Sequence, residues 1–214
     1  MVFMEAGLSL LYVLLLVTAG MAGTNLLRAV APGPRRVPVV TSVAFALTAV
    51  PSLVQLTVAP ALFGQLGRDR AAIVDGQVWR LATSFAVQDS GWAGLVFNLV
   101  ALAFLGTVAE RVWGRARWVV VAVAAQAAGS LWGLLVQPVG GGTSLVNFGL
   151  AGSLTAVAVL SGAGRRTWLP GAVSLAAAVV LLGLADIHGG AALTGALTAA
   201  VLLRRTARVR PPRR

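Results

Sequence analysis

Four polar side chains that can take part in chemistry lie within or at the start of apolar runs: Asn98, Ser144, Asn147 and His188. Polar residues in such runs are costly in lipid and require partners. A serine hydroxyl becomes a useful nucleophile when a neutral imidazole accepts its proton. The charged intermediate then needs fixed donors, such as an amide side chain and backbone N–H groups at a helix start. Ser144, His188 and Asn98 would supply these three roles if they meet.

Each residue taken alone has a simpler explanation. Serine is a common small packing residue in membrane helices, so an isolated Ser144 favours packing over catalysis. A lone histidine near a helix end is also more often structural than catalytic. The interpretation therefore depends on whether two glycine-rich stretches, 140–150 and 186–190, come together in the fold.

Small residues surround both candidates. Gly142 and the two glycines before it permit a tight turn that delivers Ser144 to the start of an apolar helix. Phe148 follows one helical turn later. Beyond His188, small residues that include Gly195 provide a face for close helix contact.

The composition places most of the chain in lipid. Of its 214 residues, 58% are hydrophobic and 11% are charged, and the mean hydropathy is +0.88. Soluble domains carry about 25% charged residues. The absence of cysteine excludes disulfides, and one histidine with six acids leaves little material for a metal site, so no cofactor is predicted. The net charge of +11 comes from arginines between apolar runs, which favours a topological role over nucleic-acid binding.

Seven apolar runs are long enough, or nearly so, to cross a bilayer. The first is not typical of a signal peptide because residues 1–5 carry no positive charge, and it is interpreted as a retained span. The sequence therefore predicts an all-α polytopic membrane protein with seven spans. The runs are 7–27, 37–62, 90–109, 118–137, 144–164, 167–185 and 188–203.

The arginines predict the orientation. Fourteen of them lie in alternate loops and the C-terminal tail, whereas Arg68, Arg70 and Arg80 lie in the opposite loops. Because cytoplasmic loops carry an excess of positive charge, the N-terminus is expected outside and the C-terminus in the cytoplasm. The membrane is expected to be the inner or plasma membrane of the cell. Ser144 and His188 would then both begin helices at the outer side. The outer loop, 64–89, is expected to associate with the membrane.

Motifs in this order and spacing resemble the rhomboid intramembrane serine proteases. The resemblance covers 37–203 and implies a rhomboid-like six-helix core. Residues 1–36 would then form an extra N-terminal transmembrane helix with a cytoplasmic loop, and 204–214 a basic cytoplasmic tail. The motifs are Trp79-Arg80 with Thr83 and Phe85, Asn98 with Gly106 and Glu110, Gly142-Thr143-Ser144 with Phe148, and His188 with Ala191 and Gly195.

The resemblance implies a Ser-His dyad without an acidic third member. Ser144 would be the nucleophile and His188 the general base, with Phe148 stacked on the imidazole. Asn98 and the Ser144 backbone N–H would hold the oxyanion. Asp186 is expected to be a solvated loop acid rather than a residue that orients the imidazole.

Other positions are assigned supporting roles by the same resemblance. Trp79 and Arg80 would lie in the outer loop that shapes substrate access, and Gly142 and Gly195 would support the active site. The implied activity is endoproteolysis of transmembrane helices. The expected partners are transmembrane protein substrates or clients and the lipid bilayer.

Two positions depart from the family pattern. Gly94 stands where the family has a histidine, and Leu145 stands where a glycine follows the nucleophile. These changes leave open a second interpretation, a rhomboid-like pseudoprotease that binds membrane clients. A third, a small transporter or channel, is disfavoured because the spans hold almost no buried charge and no evident inverted repeat.

Overall fold

The computed structural model describes residues 2–29 and 37–209. Part of the arginine pattern used to predict the orientation, Arg35, Arg36 and the arginines of 210–214, lies outside the described residues. Over the described residues the chain is helical, apart from turns and two short strands.

The helices follow the apolar runs closely. A π-helical segment, Leu102–Gly106, joins α6 to α7 without a break, and a 3₁₀ turn, Ser84–Ala86, follows α5. The elements are α1 Val2–Ala29, α2 Val39–Thr57, α3 Ala61–Leu66, β1 Arg68–Asp69, α4 Arg70–Val74, α5 Arg80–Thr83, α6 Gly91–Ala101, α7 Thr107–Trp113, α8 Arg115–Val136, β2 Val139–Gly140, α9 Ser144–Leu160, α10 Arg165–Gly183 and α11 Ile187–Val209.

Within the described residues, six helices are long and apolar enough to cross a membrane. The helix α9 is also apolar but has only 17 residues. The seventh span therefore remains a prediction. The six candidate spans are Ala6–Ala29, Val39–Thr57, Gly91–Trp113, Arg115–Val136, Arg165–Gly183 and Ile187–Arg205.

The short helix α9 forms the centre of the bundle. It packs against α8, α10 and α11, and most of its residues are buried. Glycines make this contact close. A Cβ added at Gly195 would lie 1.9 Å from the carbonyl oxygen of Gly149, and one at Gly152 would lie 1.8 Å from that of Ala192. The backbones of α9 and α11 are therefore in direct contact, as small residues permit in membrane bundles.

The leading helix α1 is packed into the same bundle. It contacts α7, α9 and α10, and Leu15 and Ala19 are fully buried. Its Gly20 faces Phe104, whose ring would lie 2.5 Å from an added Cβ. The hydroxyl of Ser174 on α10 donates a hydrogen bond to the carbonyl of Leu15 at 3.1 Å. These contacts fix the height of α1 relative to α9 and α10.

The start of α2 is capped from another helix. The buried carboxylate of Glu110 on α7 accepts hydrogen bonds from the backbone N–H of Val40 and from both the N–H and the hydroxyl of Thr41. Arg115 lies 3.7 Å from the same carboxylate. Free N–H groups at a helix start need such acceptors. Glu110, a motif residue, therefore joins α2 to α7.

Candidate active site

The turn that carries Ser144 is held by hydrogen bonds with the loop 64–89. Strand β2 pairs antiparallel with β1, with Gly140 opposite Arg68. The N–H of Gly141 donates to the carboxylate of Asp89 at 3.1 Å. The next N–H, that of Gly142, donates to the carbonyl of Ser84 at 2.8 Å. The turn therefore has a defined position before α9 begins.

Two further features fix the last residues before the serine. Thr143 is buried, and its hydroxyl lies within hydrogen-bond distance of the Thr48 hydroxyl on α2 and the carbonyl of Phe85. Gly142 has a φ of 138°, in a region that favours glycine. A Cβ at Gly142 would also lie 3.0 Å from the amide nitrogen of Asn98. Glycine is thus required there both by backbone conformation and by space.

The histidine side begins with a tight connection between α10 and α11. Ala185 has a φ of 57°, the one positive φ of a non-glycine residue in the described chain. The N–H of Asp186 donates to the carbonyl of Leu181, and that of Ala185 to Leu182, which is the pattern of a Schellman motif. Asp186 then precedes the first residue of α11 and accepts the backbone N–H of His188 at 2.8 Å.

The structure brings Ser144 and His188 together, although 44 positions separate them in the chain. The His188 Nε2 lies 3.0 Å from the Ser144 Oγ. The other ring nitrogen, Nδ1, lies 2.9 Å from the Oδ1 of Asp186. The first distance is that expected of a hydroxyl donor and an imidazole acceptor.

The expectation that Asp186 is a solvated loop acid is wrong. Its side chain is only 11% exposed, and its second oxygen accepts a hydrogen bond from the Tyr12 hydroxyl at 2.5 Å. Burial alone would raise the pKa of Asp186, but the bonds and charge of His188, together with the Tyr12 bond, outweigh burial and lower it. The carboxylate is therefore the favoured form beside the imidazole.

Two aromatic rings hold the imidazole. The ring centroids of Phe148 and Tyr12 each lie 4.6 Å from that of His188, with interplanar angles of 46° and 60°. Phe148 therefore contacts the imidazole at a tilt and is not stacked flat on it. Tyr12 meets Phe148 edge to face. The imidazole is confined between α9 and α1.

Asn98 faces the same cavity and is itself held by a second amide. Its Nδ2 donates to the Gln88 Oε1 at 2.9 Å. Gln88 is fixed in turn by two hydrogen bonds to Gln55 and one to the hydroxyl of Ser52, both on α2. An amide nitrogen carries two hydrogens, so the bond to Gln88 leaves one for a ligand.

These groups border an open cavity of about 490 Å³. Ser144 and His188 line it, with Ser9, Tyr12 and Val13 of α1 and Ala93, Gly94, Phe97 and Asn98 of α6 among its other residues. The leading helix and α6 thus both contribute to the walls around the serine. A substrate chain that reached Ser144 through this opening would contact both helices.

Trp79 and Arg80 are not among the residues that line this cavity. Arg80 is buried and donates to the carbonyls of Gly64 and Gly67 and to the side chain of Gln77. Trp79 is 51% exposed. The side chain of Arg80 therefore joins residues within the loop 64–89 and lies away from the serine.

The two departures from the family pattern have different surroundings. Leu145 is 3% exposed and packs towards α8, where its Cδ2 would lie 2.9 Å from a Cβ added at Gly129. The small Gly129 therefore accommodates the bulky residue that follows the serine. At Gly94, an added Cβ would meet the Cβ of Ser90 at 2.8 Å, so a larger side chain requires a shift of Ser90.

Sequence reasoning missed Tyr12 and Gln88 and undervalued Asp186. The sequence contains a signal for two of them, Tyr12 and Asp186. A tyrosine hydroxyl within an apolar run requires a partner, and an aspartate immediately before a helix is typical of an N-cap. Neither pattern indicates that residues 12 and 186 meet.

Comparison with known proteins identifies the family. The Rhomboid domain profile matches residues 75–205. The rhomboid protease GluP of Bacillus subtilis (strain 168) is 34% identical over 93 residues. That alignment covers 43% of this chain and 18% of the relative's length. Since the domain match includes more than half of the chain, this integral membrane protein belongs to the rhomboid family.

Proposed function

We propose that the protein is an intramembrane serine endopeptidase that cleaves transmembrane-helix substrates. The observation that carries this proposal is the 3.0 Å contact between the Ser144 Oγ and the His188 Nε2 in an open cavity. Family membership and the likeness to a rhomboid protease support the reaction class. The reaction needs no cofactor, and the partners would be transmembrane proteins within the bilayer.

In this mechanism Ser144 attacks the peptide carbonyl while His188 Nε2 takes the hydroxyl proton. The oxyanion is held by Asn98 Nδ2 and the backbone N–H of Ser144. The tetrahedral intermediate then collapses, the C–N bond breaks, and the leaving amine takes the proton from His188. Water, deprotonated by His188, then attacks the acyl-serine. The bond between the acyl carbon and the Ser144 Oγ breaks, the Oγ takes the proton from His188, and the second product leaves as a carboxylic acid.

The proposed arrangement keeps the predicted orientation and division of the chain. The N-terminus lies outside the inner or plasma membrane and the C-terminus in the cytoplasm, with α9 as the seventh span. Residues 37–203 form the six-helix core. Ser144 and His188, at the starts of α9 and α11, then face the outer side.

The test compares wild type with Ser144→Ala and His188→Ala in proteoliposomes that contain a panel of transmembrane substrates. Each variant should lose at least roughly 10⁴-fold in turnover, because the two residues act as a unit. Ser161→Ala, at the exposed end of the same helix, is the matched control and should cleave normally. Equal cleavage by wild type and both site variants would remove the proposal.

A second candidate, a pseudoprotease that binds membrane clients, is favoured by Gly94, where the family's histidine is missing. Loss of one oxyanion donor commonly costs about 10²- to 10³-fold in rate. Labelling with a fluorophosphonate separates the two functions. Strong labelling of Ser144 that His188→Ala abolishes rejects the pseudoprotease, whereas absence of labelling in a folded wild type favours it.

A further inference from the structure

The leading helix α1 reaches the candidate active site although it lies outside the region that the Rhomboid domain matches. We propose that α1 completes the site: Tyr12 and Asp186 are positioning residues that hold His188 with its proton on Nδ1 and its Nε2 free to accept from Ser144. The catalytic consequence of this arrangement rests on the proposed protease function. The arrangement itself does not.

The first step of the argument is the donor and acceptor count around the imidazole. A carboxylate accepts hydrogen bonds and cannot donate them. The 2.9 Å contact between His188 Nδ1 and Asp186 Oδ1 therefore requires the proton on Nδ1. A neutral imidazole then has a lone pair on Nε2, the atom 3.0 Å from the Ser144 hydroxyl.

The second step is the complete use of the Asp186 carboxylate. Oδ1 accepts from the backbone N–H and the Nδ1 of His188, and Oδ2 accepts from the Tyr12 hydroxyl. Three such bonds favour the ionised form. Tyr12 also contacts the face of the His188 ring, so one side chain of α1 restrains both the carboxylate and the imidazole.

The third step is that α1 is held in place independently of this contact. One turn below Tyr12, Leu15 is fully buried, and its carbonyl accepts from Ser174 of α10. Gly20 packs against the Phe104 ring. The position of the tyrosine hydroxyl is thus set by the packing of the helix, and Tyr12 can fix Asp186 rather than follow it.

A purely structural role for Asp186 makes a different prediction. As a helix cap, Asp186 needs only its bond to the His188 N–H, and glycine is tolerated at this position of a helix with little loss of stability. Asp186→Gly therefore spares most of the capping contribution while it removes the carboxylate oxygen that accepts from Nδ1. If Asp186 is only a cap, the imidazole tautomer should not respond to this change.

The experiment uses the fact that His188 is the one histidine in the sequence. The full chain, purified through a histidine-free tag and labelled with ¹⁵N-histidine, gives imidazole signals from a single site in nanodiscs. At pH 8 wild type should show the Nδ1–H tautomer. Asp186→Gly, which leaves no acceptor at Nδ1, should convert most of the signal to Nε2–H, and Tyr12→Phe, which keeps the ring, should give a mixture.

Thr18→Val is the matched control, because it removes a hydroxyl from the same helix whose hydrogen bonds stay within α1. It should keep the wild-type tautomer. A wild-type tautomer in both Asp186→Gly and Tyr12→Phe would overturn the proposal. Circular dichroism measures helix content and identifies a variant that fails to fold. If Asp186→Gly fails to fold, Tyr12→Phe still tests the proposal.

Labelling of Ser144 by fluorophosphonate separates this inference from the protease function. Asp186→Gly should slow labelling by roughly 10²- to 10⁴-fold, because an imidazole that carries its proton on Nε2 cannot accept the serine proton. Tyr12→Phe should slow it about 3- to 10-fold, the loss of one hydrogen bond. If both variants are labelled as fast as wild type, the positioning role is overturned and the proposed protease function is unaffected. The expected tautomer shifts without any wild-type labelling support the positioning role and reject the protease.

Discussion

The serine and the histidine reach the same point by different structural means. The turn before Ser144 is fixed by many backbone bonds from several elements, which include the β1–β2 pair and the carbonyl of Ser84. His188 is held by three side chains, Asp186, Phe148 and Tyr12, the last of which comes from a helix outside the matched domain. The serine is therefore positioned by redundant contacts and the histidine by a short series of single ones. A single substitution should therefore disturb the position of His188 more than it disturbs the position of Ser144.

The largest effect on the serine side is expected at the residue that faces the reacting carbonyl. Asn98→Ala removes the proposed side-chain oxyanion donor and should lower kcat about 10²- to 10³-fold with little change in KM. Steady-state cleavage in proteoliposomes measures both constants. Asn25→Ala, which removes an amide that binds the Arg166 carbonyl far from the cavity, should leave kcat unchanged. An unchanged kcat in Asn98→Ala would remove this residue from the oxyanion site.

The next prediction tests whether the several contacts of the turn before Ser144 keep the serine in place when one residue of the turn is changed. Gly142→Ala places a side chain in a strained backbone region and 3.0 Å from the Asn98 amide, so the turn must shift. Displacement of a nucleophile should cost roughly 10- to 10²-fold in kcat/KM. Gly162→Ala also has a positive φ but open space around its Cβ, and it should affect stability alone. Equal rates for both variants would contradict the requirement for glycine at position 142.

A smaller effect is expected one step further from the chemistry. Gln88→Met removes the acceptor that orients the Asn98 amide and should reduce kcat about 3- to 10-fold, the value of one hydrogen bond. Ser52→Ala removes the hydroxyl that accepts from the Gln88 side chain, together with its own bond to the Ala86 carbonyl, and sets the background rate. If Ser52→Ala and Gln88→Met reduce kcat equally, the orientation of Asn98 is not the cause.

The smallest effect is a gain in stability on the histidine side. Ala185→Gly relieves a left-handed conformation and should raise the free energy of unfolding by about 0.5 to 1 kcal/mol, with kcat unchanged. Denaturant titration in mixed micelles measures the change. Ala163→Gly, at a residue whose own φ is not positive, should be neutral or destabilising. A loss of stability in Ala185→Gly would mean that the conformation is not strained.

The apolar runs were sufficient to predict the helices, because a span in lipid must hide its backbone and its length is set by the bilayer. Most helix ends lie within a few residues of the predicted ones, and the helix α9 begins at Ser144 as expected. The length of α9 was overestimated because residues 161–164, although uncharged, form a glycine-containing turn. Hydropathy does not distinguish such a turn from the helix before it.

The candidate site was predictable from the sequence only where a motif also indicates which residues contact one another. Ser144 and His188 were paired by their chemistry, by their shared depth in the predicted topology and by a resemblance to a known family. Asp186, two residues before the histidine, was expected to be a solvated loop acid. It instead accepts a hydrogen bond from Tyr12, 174 positions away in the chain. Such a contact is determined by how α1 packs on α10, and no local pattern encodes it.

The length of α9 bears on how water reaches a bond that is to be hydrolysed. Seventeen residues rise about 25 Å, which is less than the ~30 Å of bilayer hydrocarbon. The helices that enclose α9 are longer and can match the bilayer thickness, so α9 itself does not have to match it. Its serine end can then lie below the level of the lipid headgroups, at the base of a cavity bordered by Ser9, Asp89 and Ser90 as well. Polar groups at these positions can bind water, so under the proposed function the hydrolytic water would reach the serine from the surface while the substrate helix stays in lipid.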